Sequence, residues 1–255
     1  MFENNFNITE GLRNFFGWQL GEVEITLFSV WHFAYILVIA GLIVMGALLL
    51  KGKSQGTKRK VLNILAISTL CLYIFDFFVQ PFMRSNFTLN IDKLPFHICT
   101  VMSIVAVFAQ FSKRSWFKET AVVLACVGSI MYVTYPGSAL GGVSPWCYQV
   151  IQTFLYHGML LAWGVLSLTT GEVKLEMKHI WYPVVGLCAI CAWAMLGNIC
   201  FNGGGHWDWF FITGSTFDFV PANLMPLLVI AATYAVACLI YLIYWLATPK
   251  KKKQK

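Results

Sequence analysis

The sequence predicts an all-α polytopic membrane protein, a bundle of seven transmembrane helices with its N-terminus outside and its C-terminus inside. Three observations predict it. Of 255 residues, 58% are apolar and only 11% charged, against about 25% charged in soluble domains. Apolar runs recur at about 26–50, 61–82, 94–112, 120–138, 148–168, 180–201 and 223–247, each near the ~20 residues a helical crossing requires. The basic residues alternate between successive connections. Together these exclude a soluble globular enzyme, a disordered chain and a fibrous repeat, and they leave no room for a large soluble domain.

Residues 1–25 carry four Glu and one Arg, the wrong composition for a cleavable signal peptide. With Phe2, Phe6, Phe15, Phe16 and Trp18 among polar residues, they read as an outer amphipathic segment. Residues 26–247 form the seven-helix domain, whose runs are too long for barrel strands and lack their alternation. Residues 248–255 form a basic cytoplasmic tail. Lys51, Lys53, Lys58, Arg59 and Lys60 fill the first connection, Lys113, Arg114 and Lys118 the third, Lys174 and Lys178 the fifth, and five Lys the tail. Only Arg13, Arg84 and Lys93 fall on the other set. The positive-inside rule then orients the chain. The net charge of +7 is thereby explained by topology and anionic lipid, and no nucleic-acid partner is expected.

Most of the eight cysteines lie within spans, where Cys packs as a small apolar residue. Cys188 and Cys191 form a C-x-x-C without a second pair, which favours packing over a redox or metal site. Cys147 and Cys200, near the outer ends of the fifth and sixth runs, are a candidate disulfide. Asn7-Ile8-Thr9 and Asn86-Phe87-Thr88 fit a glycosylation sequon on the outer side.

Polar residues inside spans are costly and mark candidate sites. His32 is near the outer end of the first run. Asp76 and Gln80, spaced i, i+4, share a face in the outer third of the second, and Lys93, His97 or a Tyr could pair with Asp76. His97 and Cys99 begin the third, with Pro95 suited to a first helical position. Tyr132 and Tyr135 end the fourth. Gln149, Gln152, Thr153, Tyr156 and His157 form a stripe on the fifth. Asn198 and Asn202 end the sixth, followed by His206 and Asp208. This places the polar groups in the outer half, with little but apolar residues in the inner half, and predicts one outward-facing polar cavity.

Leu94-Pro95-Phe96-His97-Ile98-Cys99, with Tyr156-His157-Gly158 and Asn198, resembles the bacterial YwaF-like integral membrane proteins, whose eukaryotic relative is transmembrane protein 164. The resemblance implies a multi-span membrane acyltransferase in which Cys99 carries the acyl group and His157 is its partner, with membrane lipid as environment and candidate substrate. The chemistry can be judged separately: a thiolate at a helix start is favoured by the positive helix end, and a Cys–His pair is the minimum for transacylation. His97 or His32 is a substitute base, Gln152, Asn198 or the backbone amides at the third span's start are oxyanion donors, and Asp76 and Gln80 line the cavity. A bacterial plasma membrane is the expected location, and no cofactor is expected. Two other readings stand beside this one. A proton-coupled or small-solute transporter would use Asp76, His97 and His157. A binding or sensing module would use Gly203-Gly204-Gly205 and the aromatic segment after it. A metal site built from His97, His157, His206, Asp76 and Asp208 lacks any recognisable local spacing.

Overall fold

A peptide group in lipid has no water to bond, so a chain of this hydropathy closes its backbone hydrogen bonds within helices. The computed structural model describes residues 15–16, 23–83, 91–136, 143–201, 208–211 and 220–248, and no strand occurs among them. The helices among the described residues are α1 (Val30–Leu50), α2 (Gln55–Met83), α3 (Ile98–Phe111), α4 (Ser115–Thr134), α5 (Tyr148–Thr169), α6 (Tyr182–Phe201) and α7 (Met225–Ala247). All except α3 are long and apolar enough to cross a membrane. The sequons, the Gly203-Gly204-Gly205 run, Asn202, His206, most of 1–25 and the basic tail lie outside the described residues, as does the side chain of Gln80.

The α3 helix corrects the run expected at 94–112. Its 14 residues rise only about 21 Å, less than the ~30 Å hydrocarbon core. Pro95 does not open it. The chain first makes a 3-10 turn at Ile91–Lys93, then Phe96 N–H bonds the Leu94 carbonyl at 2.7 Å. His97 stays extended as the N-cap, so the helix starts at Ile98. The second run errs in the other direction. The Ser54 hydroxyl accepts Thr57 N–H at 3.2 Å, and this cap carries the helix through Lys58, Arg59 and Lys60 before the apolar run begins.

Helices α4 and α5 form the centre. In each, 61% of the most apolar window is buried, against 6% in α1, whose Leu37, Leu42 and Leu48 face outward. Glycines let the helices approach closely, as small residues do in membrane bundles. The space a side chain at Gly164 of α5 would need is taken by Cys126 Sγ, with the Val122 carbonyl of α4 at 3.3 Å. Gly186 of α6 seats Leu124 and Thr120 of α4 in the same way, and Gly158 of α5 seats Ile39 of α1. Cys147 and Cys200 are both free thiols, so the candidate disulfide is absent.

The end of the bundle that carries the basic connections is not purely apolar, contrary to expectation. Glu119 of α4 is buried. Its Oε1 accepts Tyr241 O–H of α7 at 2.9 Å and Glu176 N–H at 3.1 Å, while Oε2 meets His179 Nδ1 at 2.9 Å. Gln110 of α3 is also buried. It donates to Asn63 Oδ1 of α2 and accepts from Trp163 Nε1 of α5, both at 2.9 Å. These two networks tie six elements by bonds that apolar packing alone would not specify. Glu172, in the connection after α5, receives Lys118 at 2.8 Å and Arg59 at 3.2 Å. Burial pushes its carboxyl up, but the two cations outweigh burial and hold it below its ordinary value.

Two outcomes are expected. Gly164→Ala should cost about 1–3 kcal/mol by overpacking, seen as a lower midpoint of thermal unfolding in detergent, and Cys126→Ala should restore much of it by removing the sulfur. A lowered carboxyl contributes stability above the ordinary range and loses it as pH falls through the folded-state value. The midpoint of thermal unfolding should therefore fall below roughly pH 4.3. In Glu172→Gln it should be lower at neutral pH and its acid slope shallower.

Candidate functional site

The turn before α3 is held from several sides. Trp193 of α6 donates its indole N–H to the Pro95 carbonyl at 2.7 Å. The Phe96 ring fills the space over Gly197 and packs on Trp209 at 5.0 Å. Asn198 grips the backbone of Trp209 with both ends of its amide: Oδ1 accepts Trp209 N–H at 2.9 Å and Nδ2 donates to the Trp209 carbonyl at 3.2 Å. The next residue, Phe210, has φ +65° and gives its N–H to His97 Nδ1 at 3.2 Å. Asn198 and His97 thus fasten Trp209–Phe211 over the start of α3.

His32 has a parallel use. Phe28, at φ +60°, donates its N–H to His32 Nδ1 at 3.0 Å. This places the ring proton on Nε2, 2.9 Å from the Val133 carbonyl of α4. Both nitrogens of His32 are engaged with backbone, so it joins α1 to α4 and does not serve as a base. A left-handed φ is uncommon for a bulky residue. In each case a histidine nitrogen accepts the N–H that the turn exposes.

Cys99 is the second residue of α3 and is buried. Its Sγ lies 3.3 Å from where a Cβ on Gly128 of α4 would stand. Its carbonyl accepts the Tyr156 hydroxyl of α5 at 2.7 Å. One residue beyond Tyr156, His157 is also buried. Its ring stacks on Tyr132 of α4 with centroids 3.7 Å apart and planes within 2°, and meets the Tyr156 ring edge-on at 4.9 Å. His157 Nδ1 is 2.8 Å from the Thr153 carbonyl. A carbonyl only accepts, so the neutral ring carries its proton on Nδ1 and its lone pair on Nε2. Gly128 and Tyr132 share a face of α4, four residues apart. Cys99 and His157 therefore converge on one face of α4 and on one tyrosine.

Gln152 is buried nearby, its Oε1 accepting from Thr153 Oγ1 at 3.4 Å. Asp76 of α2 is buried and its Oδ2 is paired with the Lys93 ammonium. The Lys93 carbonyl accepts the Tyr73 hydroxyl at 2.8 Å, so the Ile91–Lys93 turn is bound to α2 at two points. The structure thus brings Cys99 and His157 against α4 from α3 and α5, with Gln152 on α5 and Asp76 on α2 paired with Lys93. It assigns His32, His97 and Asn198 to holding backbone. Tyr132 and Tyr156 were visible as polar residues in the sequence, but their roles as ring stack and bridge were not. Among the described residues no group of three His, Cys, Asp or Glu could hold a metal ion.

Asn198→Ala should cost about 1–3 kcal/mol, because it strips the bonds from buried backbone groups. Amide exchange at Trp209 and Phe210 should speed up more than exchange in α4 and α5.

No curated protein and no solved structure matches the chain. A family model does, over residues 27–248, a span that takes in α1 to α7 and the 94–99 turn. This integral membrane protein belongs to the TMEM164 family.

Proposed function

We propose that the protein is a lipid acyltransferase or acyl hydrolase of the membrane, with Cys99 as nucleophile and His157 as base. The convergence of the two residues on Tyr156 and on the Gly128–Tyr132 face of α4 supports this most directly. The bond from Tyr156 to the Cys99 carbonyl ties the start of α3 to the residue next to His157, which supports the pairing.

The chemistry follows from the groups present. The Cys99 thiol gives its proton to His157 Nε2 as sulfur attacks the carbonyl carbon of a lipid ester. The ester C–O bond breaks, the departing alcohol takes the proton from His157, and an acyl thioester remains on Cys99. An acceptor hydroxyl then loses its proton to His157 and attacks the thioester. The C–S bond breaks, the proton returns to the sulfur, and a new ester leaves; water as acceptor gives hydrolysis. The first amides of α3 have no partner within the helix, and their N–H groups at Cys99 suit the developing oxyanion. Gln152 is a second donor. His97 positions the turn and is not needed as a base.

The same reading includes a seven-span topology, with α3 and the turn before it as the third crossing. The N-terminus is outside and the basic connections inside, and the polar groups open as a cavity to the outer side. The narrower kinship with the YwaF-like proteins and a bacterial plasma membrane location rest on the 94–99 motif.

Cys99→Ala should abolish transfer from a labelled phospholipid in proteoliposomes. His157→Gln should lower it about 10²–10⁴-fold, the usual worth of a positioned base. Undiminished transfer in Cys99→Ala would end the proposal.

A further inference from the structure

In a Ser–His–Asp triad a buried carboxylate bonds the far nitrogen of the imidazole. It holds the ring in place and stabilises the cation formed when the ring takes the proton. His157 has a different arrangement. Its Nδ1 is 2.8 Å from the Thr153 carbonyl, a neutral group of its own helix. Asp76, the buried carboxylate of α2, is paired with Lys93. Both duties of the triad carboxylate therefore fall to some other group.

The first duty is geometric. A ring pinned at Cβ and at Nδ1 can still hinge about the line between them. Nε2, which carries the lone pair, lies off that line and swings with the hinge. Tyr132 of α4 closes it. The Tyr132 ring lies flat on the His157 ring, with centroids 3.7 Å apart and planes within 2°, while Tyr156 stands edge-on at 4.9 Å. The Nε2 lone pair lies in the imidazole plane, so a ring held against the Tyr132 face has its lone pair held parallel to that face. Gly128, beside which the Cys99 sulfur lies, is one turn earlier on the same side of α4.

The second duty is electrostatic. When the Cys99 thiol gives its proton to Nε2, the sulfur becomes a thiolate and the ring an imidazolium. A cation within about 6 Å of an aromatic face is attracted by the negative π cloud, and more strongly away from water. His157 is buried, and its whole face is on the Tyr132 ring.

We infer that Tyr132 is the positioning residue of this centre: its ring face fixes the plane of His157 and stabilises the imidazolium, the two duties of a triad carboxylate. This rests on the acyl-transfer reading for the proton that His157 takes.

Full-length protein varied at position 132 tests it, in proteoliposomes with a labelled phospholipid. Tyr132→Leu should lower kcat about thirtyfold, or about 2 kcal/mol, the worth of a desolvated cation–π contact, with little change in KM. Tyr132→Phe restores the π face and should recover most of kcat. Phenylalanines with successive ring fluorines at the same position keep the shape and drain the π cloud, so kcat should fall stepwise along the series. A ring that only fills space would give one kcat throughout. NMR of histidine-labelled protein reads the stack without turnover. The Tyr132 ring current should move the His157 ring protons upfield, Tyr132→Phe should keep that shift, and Tyr132→Leu should remove it. A flat fluorine series, or His157 resonances that Tyr132→Leu leaves in place, overturns the inference. If Tyr132→Leu does not fold, the fluorine series decides alone. Full transfer by Cys99→Ala with a stepwise fluorine response would reject the nucleophile and keep the role of Tyr132. Loss of transfer in Cys99→Ala with a flat series would reject only the role of Tyr132.

Discussion

The close contact of α4 with α3 and α5 is the constraint on which the rest of the structure depends. Lipid supplies no hydrophobic force between helices, so van der Waals contact and hydrogen bonds must hold them. Gly164 lets α5 press on Val122 and Cys126. One residue before it, Trp163 then reaches Gln110 of α3. Seven residues before it, His157 lies flat on Tyr132. Gly128 does the same for α3 and leaves room for the Cys99 sulfur. A side chain at Gly164 would part α5 from α4, and one at Gly128 would crowd Ile98 and Cys99. The ring stack, which spans α4 and α5, would then go, and the Tyr156–Cys99 bond, which joins the α5 and α3 that α4 holds, would lose its alignment.

Hydropathy made the helices legible because lipid forces each backbone segment to satisfy itself, and an apolar run of the right length has few other solutions. The ends were less legible, since a cap such as Ser54 or a turn such as Leu94–His97 sets them locally. Glu119 escaped notice for a different reason. It follows Lys118 at the edge of an apolar run, and charge counting assigns such residues to the connection. Its burial depends on Tyr241 and His179, which are distant in sequence and carry no mark of pairing with it. Cys99 and His157 were legible as intramembrane polar residues in a motif. The duties of His32, His97 and Asn198 were not, because their partners are backbone groups of remote turns, and a backbone N–H looks the same at every position.

That difference matters for choosing a mechanism. A histidine or asparagine in a span has one set of donors and acceptors, and those spent on backbone are not free for chemistry. His32 spends both nitrogens, Asn198 both ends of its amide, and His97 at least its Nδ1. His157 spends only Nδ1, as a donor, which leaves the ring lone pair on Nε2. Of the three, His157 is the one whose ring lone pair is not spent on backbone.

The same accounting weighs on the transporter reading. Conduction through the bundle needs polar groups that can exchange partners along its whole depth. Below His157, α5 continues with Leu160 and Trp163, buried among Val122, Leu124 and Ala106. The Trp163 indole is bonded to Gln110 and Gln110 to Asn63. Farther along, Glu119 is saturated by three donors. Among the described residues Glu119 and Gln110 are held by these partners, and the apolar side chains of Leu160, Val122, Leu124 and Ala106 lie between them and the His157 level. A chain laid out this way can hold a substrate at one end and exclude water from it. Among the described residues no continuous row of polar groups runs on to the other end.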